Sequence, residues 1–322
     1  MENSTFKGKE KSNLKMKLLT FLILILVLNF GIECNYSLNA SHKELFPQEL
    51  VQFVAYQHNP LFSGTGGATW DKQIRERGYI IKEDSLYHLW YTGYDSNDGT
   101  RLLGYATSTD GINFNRHFQN PIHHSSWVED MCVVKKADTY YMFAEGKGDS
   151  AHLLTSKDKI NWEEKGSLDI RQTNGKSISS GSFGTPTVLL ENGLWYLFYE
   201  RDDLGIWLAT SKDLSFWTNV QDEPVLKMGP ESYDQFAVAM DQIIQYKGLY
   251  YGYYHASAFK DWHEWSTNVA VSSDLIHWKK YPNNPIIGNN LSSGILLKDG
   301  EGFRLYTMHE RINLFFSTSV SK

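Results

Sequence analysis

Between Gly181 and Val220, apolar and polar positions alternate in four short runs, TVLLE, LWYLFYE, IWLATS and FWTNV, each closed by turn residues. Asn192-Gly193 parts the first two runs, RDDLG the next two, and a Lys212-Asp213 turn the last two. A period of two over such short runs marks strands with one buried face, and Asn-Gly supplies the positive φ that a tight hairpin needs. The stretch predicts a four-stranded antiparallel meander. Such a sheet leaves an apolar face uncovered, so it also predicts partners of the same kind.

The partners are legible as a repeat. A strand ending in Ser, an Asp within two residues and an aromatic four residues further on recur at Asp110/Phe114, Asp158/Trp162, Asp213/Trp217 and Asp274/Trp278, at Asp-to-Asp spacings of 48, 55 and 61 residues. Propeller blades repeat at about 40–50 residues, and inserted loops account for the excess. The middle-strand phrase appears five times, as YHLWYTG, YYMFAEG, WYLFYER, LYYGYYHAS and FRLYTMHER. The fold expected is all-β, a five-bladed β-propeller.

Its two ends fit together. Segment 50–57 reads as an outermost strand and is followed by Asn59-Pro60-Leu61, the ending that also follows blade one (Asn120-Pro121-Ile122) and blade four (Asn284-Pro285-Ile286). Blade five stops after three strands. The N-terminal outer strand is expected to complete that blade and close the ring, which leaves no open sheet edge.

Composition agrees, with aromatics at 14%, 25 glycines and only 8 prolines, as short strands and tight turns require. A net charge of −6 offers no basic stripe, so nucleic acid is set aside as a partner. Residues 1–34 differ in kind. Lys11, Lys15 and Lys17 precede the apolar run Leu18–Leu28, which is short for a membrane span and reads as an export signal. Cys34, in Gly31-Ile32-Glu33-Cys34, resembles a bacterial lipoprotein cleavage box, and a lipid there is the one membrane link expected. Residues 35–49 read as a linker and 50–322 as the catalytic propeller. The expected location is periplasmic, outer-membrane-anchored or secreted, in a bacterium. The other cysteine, Cys132, reads as a small buried hydrophobe, so no disulfide framework is implied.

Strand direction sorts the polar residues between two faces. The repeated Asp110, Asp158, Asp213 and Asp274 fall in the third-to-fourth turn, where a carboxylate capping its own backbone is a structural device. The opposite face gathers the starts of the first strands and the ends of the second. From the starts come Arg75, Glu76 and Arg77, then Glu129 and Asp130, and Asp234; from the ends come Glu145, Glu200 and Arg201, His255 and His309; the loops add Trp70, Asp71 and Trp127. Acids, arginines, histidines and tryptophans converging on a channel mouth are what a site requires, although any one of them could equally be a ring-sealing ion pair.

These phrases, with IRERGYIIKED, SSWVEDMCVV, FGTPTVLLENGLWYLFYERD and NNPI among them, resemble the five-bladed propeller glycoside hydrolases, the group that includes families 43, 32, 68, 117 and 130. The resemblance covers about residues 50–322 and implies a glycosidase, exo-acting on plant or algal oligosaccharides, with no cofactor required and room for a structural cation in the channel. Carried over, the base or nucleophile is Glu76 or Asp71, the modulating acid is Asp130 and the proton donor is Glu200. Asp71, Arg77, Trp127, Glu129, Glu145, Arg201, Asp234, His255 and His309 are then expected to bind substrate. Family 43 places its donor just before the Pro of blade three, where this chain has Gly184-Thr185-Pro186, so Glu200 or His255 takes that role. The resemblance leaves open a family 130-type phosphorylase, with Arg75, Arg77 and Arg201 as the phosphate site, and an inactive carbohydrate-binding propeller.

Overall fold

A computed structural model describes residues 45–95 and 99–318 of the chain; the export signal, Cys34 and the linker up to residue 44 lie outside the described residues. The propeller forms five sheets. Blade one is β2 (Gln73–Glu83), β3 (Leu86–Tyr94), β4 (Leu102–Ser108) and β5 (Asn115–Arg116); blade two is β6 (Glu129–Lys136), β7 (Thr139–Gly146), β8 (Ser150–Ser156) and β9 (Trp162–Ser167). Blade three is β11 (Thr187–Glu191), β12 (Leu194–Glu200), β13 (Gly205–Ser211) and β14 (Trp217–Asn219), as the alternation predicts, with two short additions, β10 (Ile170–Arg171) on β14 and β15 (Leu226–Lys227) on β13. Blade four is β16 (Ala237–Tyr246), β17 (Leu249–Ser257), β18 (Ser266–Ser272) and β19 (Trp278–Lys280). The inner strands β2, β6, β11 and β16 follow one another around the axis.

Blade five is β20 (Gly294–Asp299), β21 (Gly302–Thr307) and β22 (Asn313–Ser317), completed from the other end of the chain by β1 (Phe53–Ala55). Phe53 stands opposite Ser317 and Ala55 opposite Phe315 in an antiparallel register. The recurring Asn-Pro ending now has a physical reason. Asn120 and Asn284 each clamp the third strand of their own blade by accepting one N–H and donating to one C=O of the same residue, Tyr105 (2.9 and 2.9 Å) and Val269 (3.1 and 3.0 Å). Asn59 does the same to Leu314 of blade five, at 2.8 and 2.8 Å.

The linker expected at 35–49 ends earlier than the polar sequence suggests. A short helix, α1 (Gln48–Val51), packs on the domain: Leu50 is buried, its carbonyl accepts the Tyr253 hydroxyl (2.8 Å), and the Phe46 ring lies 5.0 Å from that of Tyr281. Residues 46–49 therefore belong to the propeller.

The repeated tryptophans fill the seams. Trp90 meets Trp162 edge-on at 6.0 Å, Phe143 meets Trp217 at 5.8 Å and Phe198 meets Trp278 at 6.0 Å, each pair joining neighbouring blades. Fully burying a side chain of this size contributes ~3 kcal/mol at most, so the repeat carries much of the ring's cohesion. The repeated Asp of blades one, two and four each take two backbone N–H bonds through one oxygen; Asp158, for instance, accepts from Ile160 (3.0 Å) and Asn161 (2.7 Å). Against the penalty of burial, side-chain hydrogen bonds from Asn161 and His277, together with those backbone bonds, hold Asp158 and Asp274 down at about 2.

Candidate active site

Three of the inner strands break register near the channel. β2 slips between Arg75 and Tyr79, β6 between Glu129 and Cys132, and β16 between Met240 and Gln242. A bulge inserts one residue and re-aims a side chain, and here the re-aimed segments hold Glu76-Arg77, Asp130 and Asp241. Asp130 sits at φ 45°, a left-handed conformation that an aspartate tolerates better than most residues.

The Arg77 side chain is 0% exposed and plugs the channel. Its guanidinium donates to the Thr187 hydroxyl (2.7 Å) and to the carbonyls of Asp130, Pro186 (2.6 Å), Met240 (2.5 Å) and Asp241 (3.2 Å), so one residue of blade one ties blades two, three and four together. Its backbone N–H donates to Asp130 Oδ1 at 3.0 Å. Expected among the substrate-binding groups, Arg77 is instead enclosed among these carbonyls, and it orients the site from below.

Above it lies a cavity of about 310 Å³. Glu129, Asp130 and Glu145 of blade two line it with Glu200 of blade three, and Asp149, Asp202 and Asp203 stand beside them. Gly184 explains how two of these carboxyls fit so closely. A Cβ at that position would overlap both Glu145 Oε2 and Glu200 Oε1. With none there, the Gly184 N–H donates to Glu200 Oε1 (2.7 Å) and the Thr185 N–H to Glu145 Oε2 (2.8 Å). Where family 43 has an acid, this chain thus presents two backbone donors that hold two acids from neighbouring blades. Glu200 Oε2 accepts the Asp203 N–H at 2.7 Å.

Crowding and burial keep these acids protonated to unusually high pH. Burial, then the charge of Asp203, pushes Glu200 up to about 7. Burial, then Asp130, pushes Glu129 up to about 7 although the Trp127 indole N–H (2.6 Å) and Arg101 (3.3 Å) both oppose it. Glu145 is raised well above the carboxylate range by burial and by Asp130 and Glu129. Burial also lifts Asp203 to about 6, against the pull of His255.

On the blade-four side, His255 of β17 lines the same cavity, and its Nδ1 is 2.6 Å from Asp241 Oδ1. Burial alone lowers an imidazole, but the Asp241 charge and hydrogen bond outweigh it and raise His255. Trp262 and Trp265 form the adjoining wall, with the Trp265 ring 5.1 Å from the His255 ring.

The remaining expected residues are distributed as follows. The side chain of Glu76 lies outside the described residues. Trp127 serves the cavity indirectly through Glu129. Asp71 is buried away from the cavity, accepting from Arg116 Nε (2.7 Å) and the Tyr91 hydroxyl (3.1 Å), a structural ion pair. Asp234 is 0% exposed and paired with Lys280 (2.5 Å) at the rim between blades three and four. Arg201 turns outward to Ser182 O (3.0 Å) and Ser179 O (3.0 Å) and lines a different cavity. His309 lines a neighbouring cavity with Asn289, Asn290 and Arg311, and burial, then Arg75 and His255, hold it down at about 4. Sequence reading did not single out Arg101, Asp149, Asp203, Trp262 or Trp265, which all line this cavity from loops. Among the described residues no group of three or more His, Cys, Asp or Glu is arranged to hold a metal ion.

No family model matches the chain. A 1,2-β-oligomannan phosphorylase of Thermoanaerobacter sp. (strain X514) is 28% identical over 227 residues, spanning 65% of this chain and 73% of that protein. Among solved structures, the β-1,2-mannobiose phosphorylase of Listeria innocua, in complex with β-1,2-mannobiose, superposes with a TM-score of 0.65 at 15% identity over 82% of this chain and 96% of its own. A third protein superposes with a TM-score of 0.64 at 16% identity over 82% of this chain and 93% of its own, from work describing glycoside hydrolases that target β-1,2 mannosidic linkages within the GH130 family of mannoside phosphorylases. The structural likenesses establish the five-bladed propeller shared with these sugar-processing proteins.

Proposed function

We propose that this chain is a glycoside hydrolase acting on β-linked mannosides, with the carboxyl-lined cavity as its active site. The sugar is suggested by the relatives, which act on β-1,2-mannosides by phosphorolysis or hydrolysis. The choice of water over phosphate rests on one observation: among the described residues the cavity carries seven carboxyl groups against two guanidiniums, Arg75 and Arg101, and one imidazole. One of those guanidiniums is already committed, since Arg101 pairs with Glu129 at 3.3 Å. A dianion entering such a cavity meets net repulsion, whereas neutral water and a neutral sugar do not.

Cleavage needs a carboxyl that still holds its proton near neutral pH and a carboxylate that removes one from water. Glu200, raised to about 7 and fixed by two backbone N–H donors, is the proton donor to the glycosidic oxygen as the C1–O bond breaks. The base takes a proton from water as its oxygen bonds to C1, and Glu76, in the bulge of β2, is assigned this part. Asp130, held by the Arg77 N–H, modulates both. His255 on its Asp241 partner is the alternative donor.

Incubation of the purified protein with β-1,2-mannobiose, with and without inorganic phosphate, tests the reading. Mannose alone, formed at the same rate in both, is expected. Phosphate-dependent formation of mannose 1-phosphate identifies a phosphorylase instead, and no turnover of any mannoside leaves a binding protein.

A further inference from the structure

The loop 258–265 between β17 and β18 carries an aromatic group that the catalytic assignment does not use. Phe259 is 38% exposed and Trp262 41%, although a solvent-facing tryptophan gains nothing for the fold. The loop is nevertheless built with care. The Ser257 hydroxyl donates to the Glu264 carbonyl (2.9 Å) and accepts the Phe259 N–H (3.1 Å), and the Trp265 N–H is held by Asn290 Oδ1 (3.0 Å). Trp262 occupies φ 53°, a region that bulky residues avoid, and its indole N–H donates to the Phe236 carbonyl at 3.3 Å. Strain of this kind persists where the surroundings impose it and concentrates at ligand-binding sites. Its ring lies 6.2 Å from that of Trp265, which in turn packs edge-on against His255.

We infer that Trp262 is a stacking platform for a pyranose ring, the sugar on the leaving-group side of the cleaved bond. This rests on the mannosidase reading for the identity of the sugar but not for the platform itself. Glu129, Asp130, Glu145 and Glu200 lie deep, with Glu200 only 4% exposed, while Trp262 stands at the mouth, so a sugar reacting at these acids places its neighbour against the indole. The chemistry matches. In the mannose on the leaving-group side the linking O2 is axial and rises from one face of the ring, while the axial H3 and H5, joined by H1 in the β anomer, share the opposite face and leave it free to stack. Those weakly positive hydrogens meet the negative face of an indole. The two tryptophans that the sequence places on this face serve elsewhere. Trp127 instead holds Glu129, and Trp70 stacks on Tyr91 at 5.8 Å.

Tryptophan fluorescence titration tests the platform by binding alone. On a Glu200→Gln background that cleaves too slowly to consume the ligand, the otherwise wild-type protein, Trp262→Ala, Trp262→Phe and, as an exposed aromatic outside the cavity, Phe118→Ala are titrated with mannose, β-1,2-mannobiose, cellobiose and a β-1,4-galactobiose. Trp262→Ala is expected to weaken disaccharide binding about tenfold, the scale of one aromatic contact, and to leave mannose binding unchanged. Trp262→Phe keeps most of the affinity and Phe118→Ala all of it. Equal disaccharide affinity in wild type and Trp262→Ala, or an equal loss for mannose, overturns the platform. If the wild type binds another disaccharide but no mannoside, and Trp262→Ala loses it, the platform stands and the mannoside assignment fails. Absence of any sugar binding overturns both.

Discussion

Asp241 reaches His255 across the bulge of β16: its Oδ1 lies 2.6 Å from Nδ1, and its Oδ2 accepts the Gly294 N–H of blade five at 3.1 Å. Without the bulge, strict alternation would turn Asp241 to the other side of the strand. The pair explains why a buried imidazole is raised rather than lowered. In Asp241→Asn burial is opposed only by the charges of Asp130 and Asp203, so the pH midpoint of His255, followed by NMR, is expected to fall relative to the wild type. Because the folded value is raised, the pair's contribution to stability is full below about 6.5 and disappears as pH rises through the raised value; Asp241→Asn removes that slope from the unfolding free energy.

The acids impose a second slope of the same sign. Glu129 and Glu200, raised to about 7, and Asp203, raised to about 6, all bind protons more tightly folded than unfolded. The folded state is therefore favoured below the ordinary carboxyl range and loses that advantage as pH climbs from about 4.5 through about 7. Thermal unfolding followed by circular dichroism is expected to give a higher Tm at pH 5.5 than at pH 8. Glu200→Gln, which cannot ionise, narrows the gap.

Turnover carries its own signature. With Glu200 as donor, kcat/KM for β-1,2-mannobiose falls on an alkaline limb near pH 7, and Glu200→Gln lowers it ~10²–10⁴-fold and removes that limb. The loss is smaller on an aryl mannoside whose leaving group needs no proton. Should Glu200→Gln keep full activity while His255→Ala abolishes it, the donor is the histidine. Asp213→Ala, in a turn at the opposite face, leaves turnover unchanged.

Arg77→Met removes a cation whose two terminal nitrogens donate to protein oxygens, and strands the carbonyls of three blades. Each buried carbonyl left unpaired costs ~1–3 kcal/mol, and the summed loss is read as a shift of the urea midpoint. Arg77→Lys recovers little, because an ammonium cannot fork between blades two and three.

The fold was legible because its signals are local. The Asn192-Gly193 hairpin, the spaced Asp/Trp turns and the orphan strand before Asn59 each state a rule that holds over a few residues, and the sheets follow. The site was legible as far as strand polarity reaches. It brought Glu129, Asp130, Glu145, Glu200 and His255 to one face, where they line one cavity. It could not say which side chain of that face points outward. Arg77, one residue past Glu76, ends up enclosed because a bulge shifts the alternation, and no residue type announces a bulge there. Loop residues were harder still. Asp203 joins the acids through a turn with two left-handed aspartates, and Trp262 through a loop whose path depends on hydrogen bonds to blade five and to Phe236.

The Asn59 clamp spans 255 residues of sequence to reach Leu314, and β1 meets β22 across a similar span. While the chain is being synthesised, blades one to four can assemble in order, but the seam waits for β22 to emerge. Until then β1 has no partner, and the unfinished ring offers unpaired backbone to any neighbouring chain. Contacts of this sequence separation also form slowly. Closure of the ring is therefore the step most exposed to aggregation, and loss of β22 alone would leave β1 without its partner and the ring open.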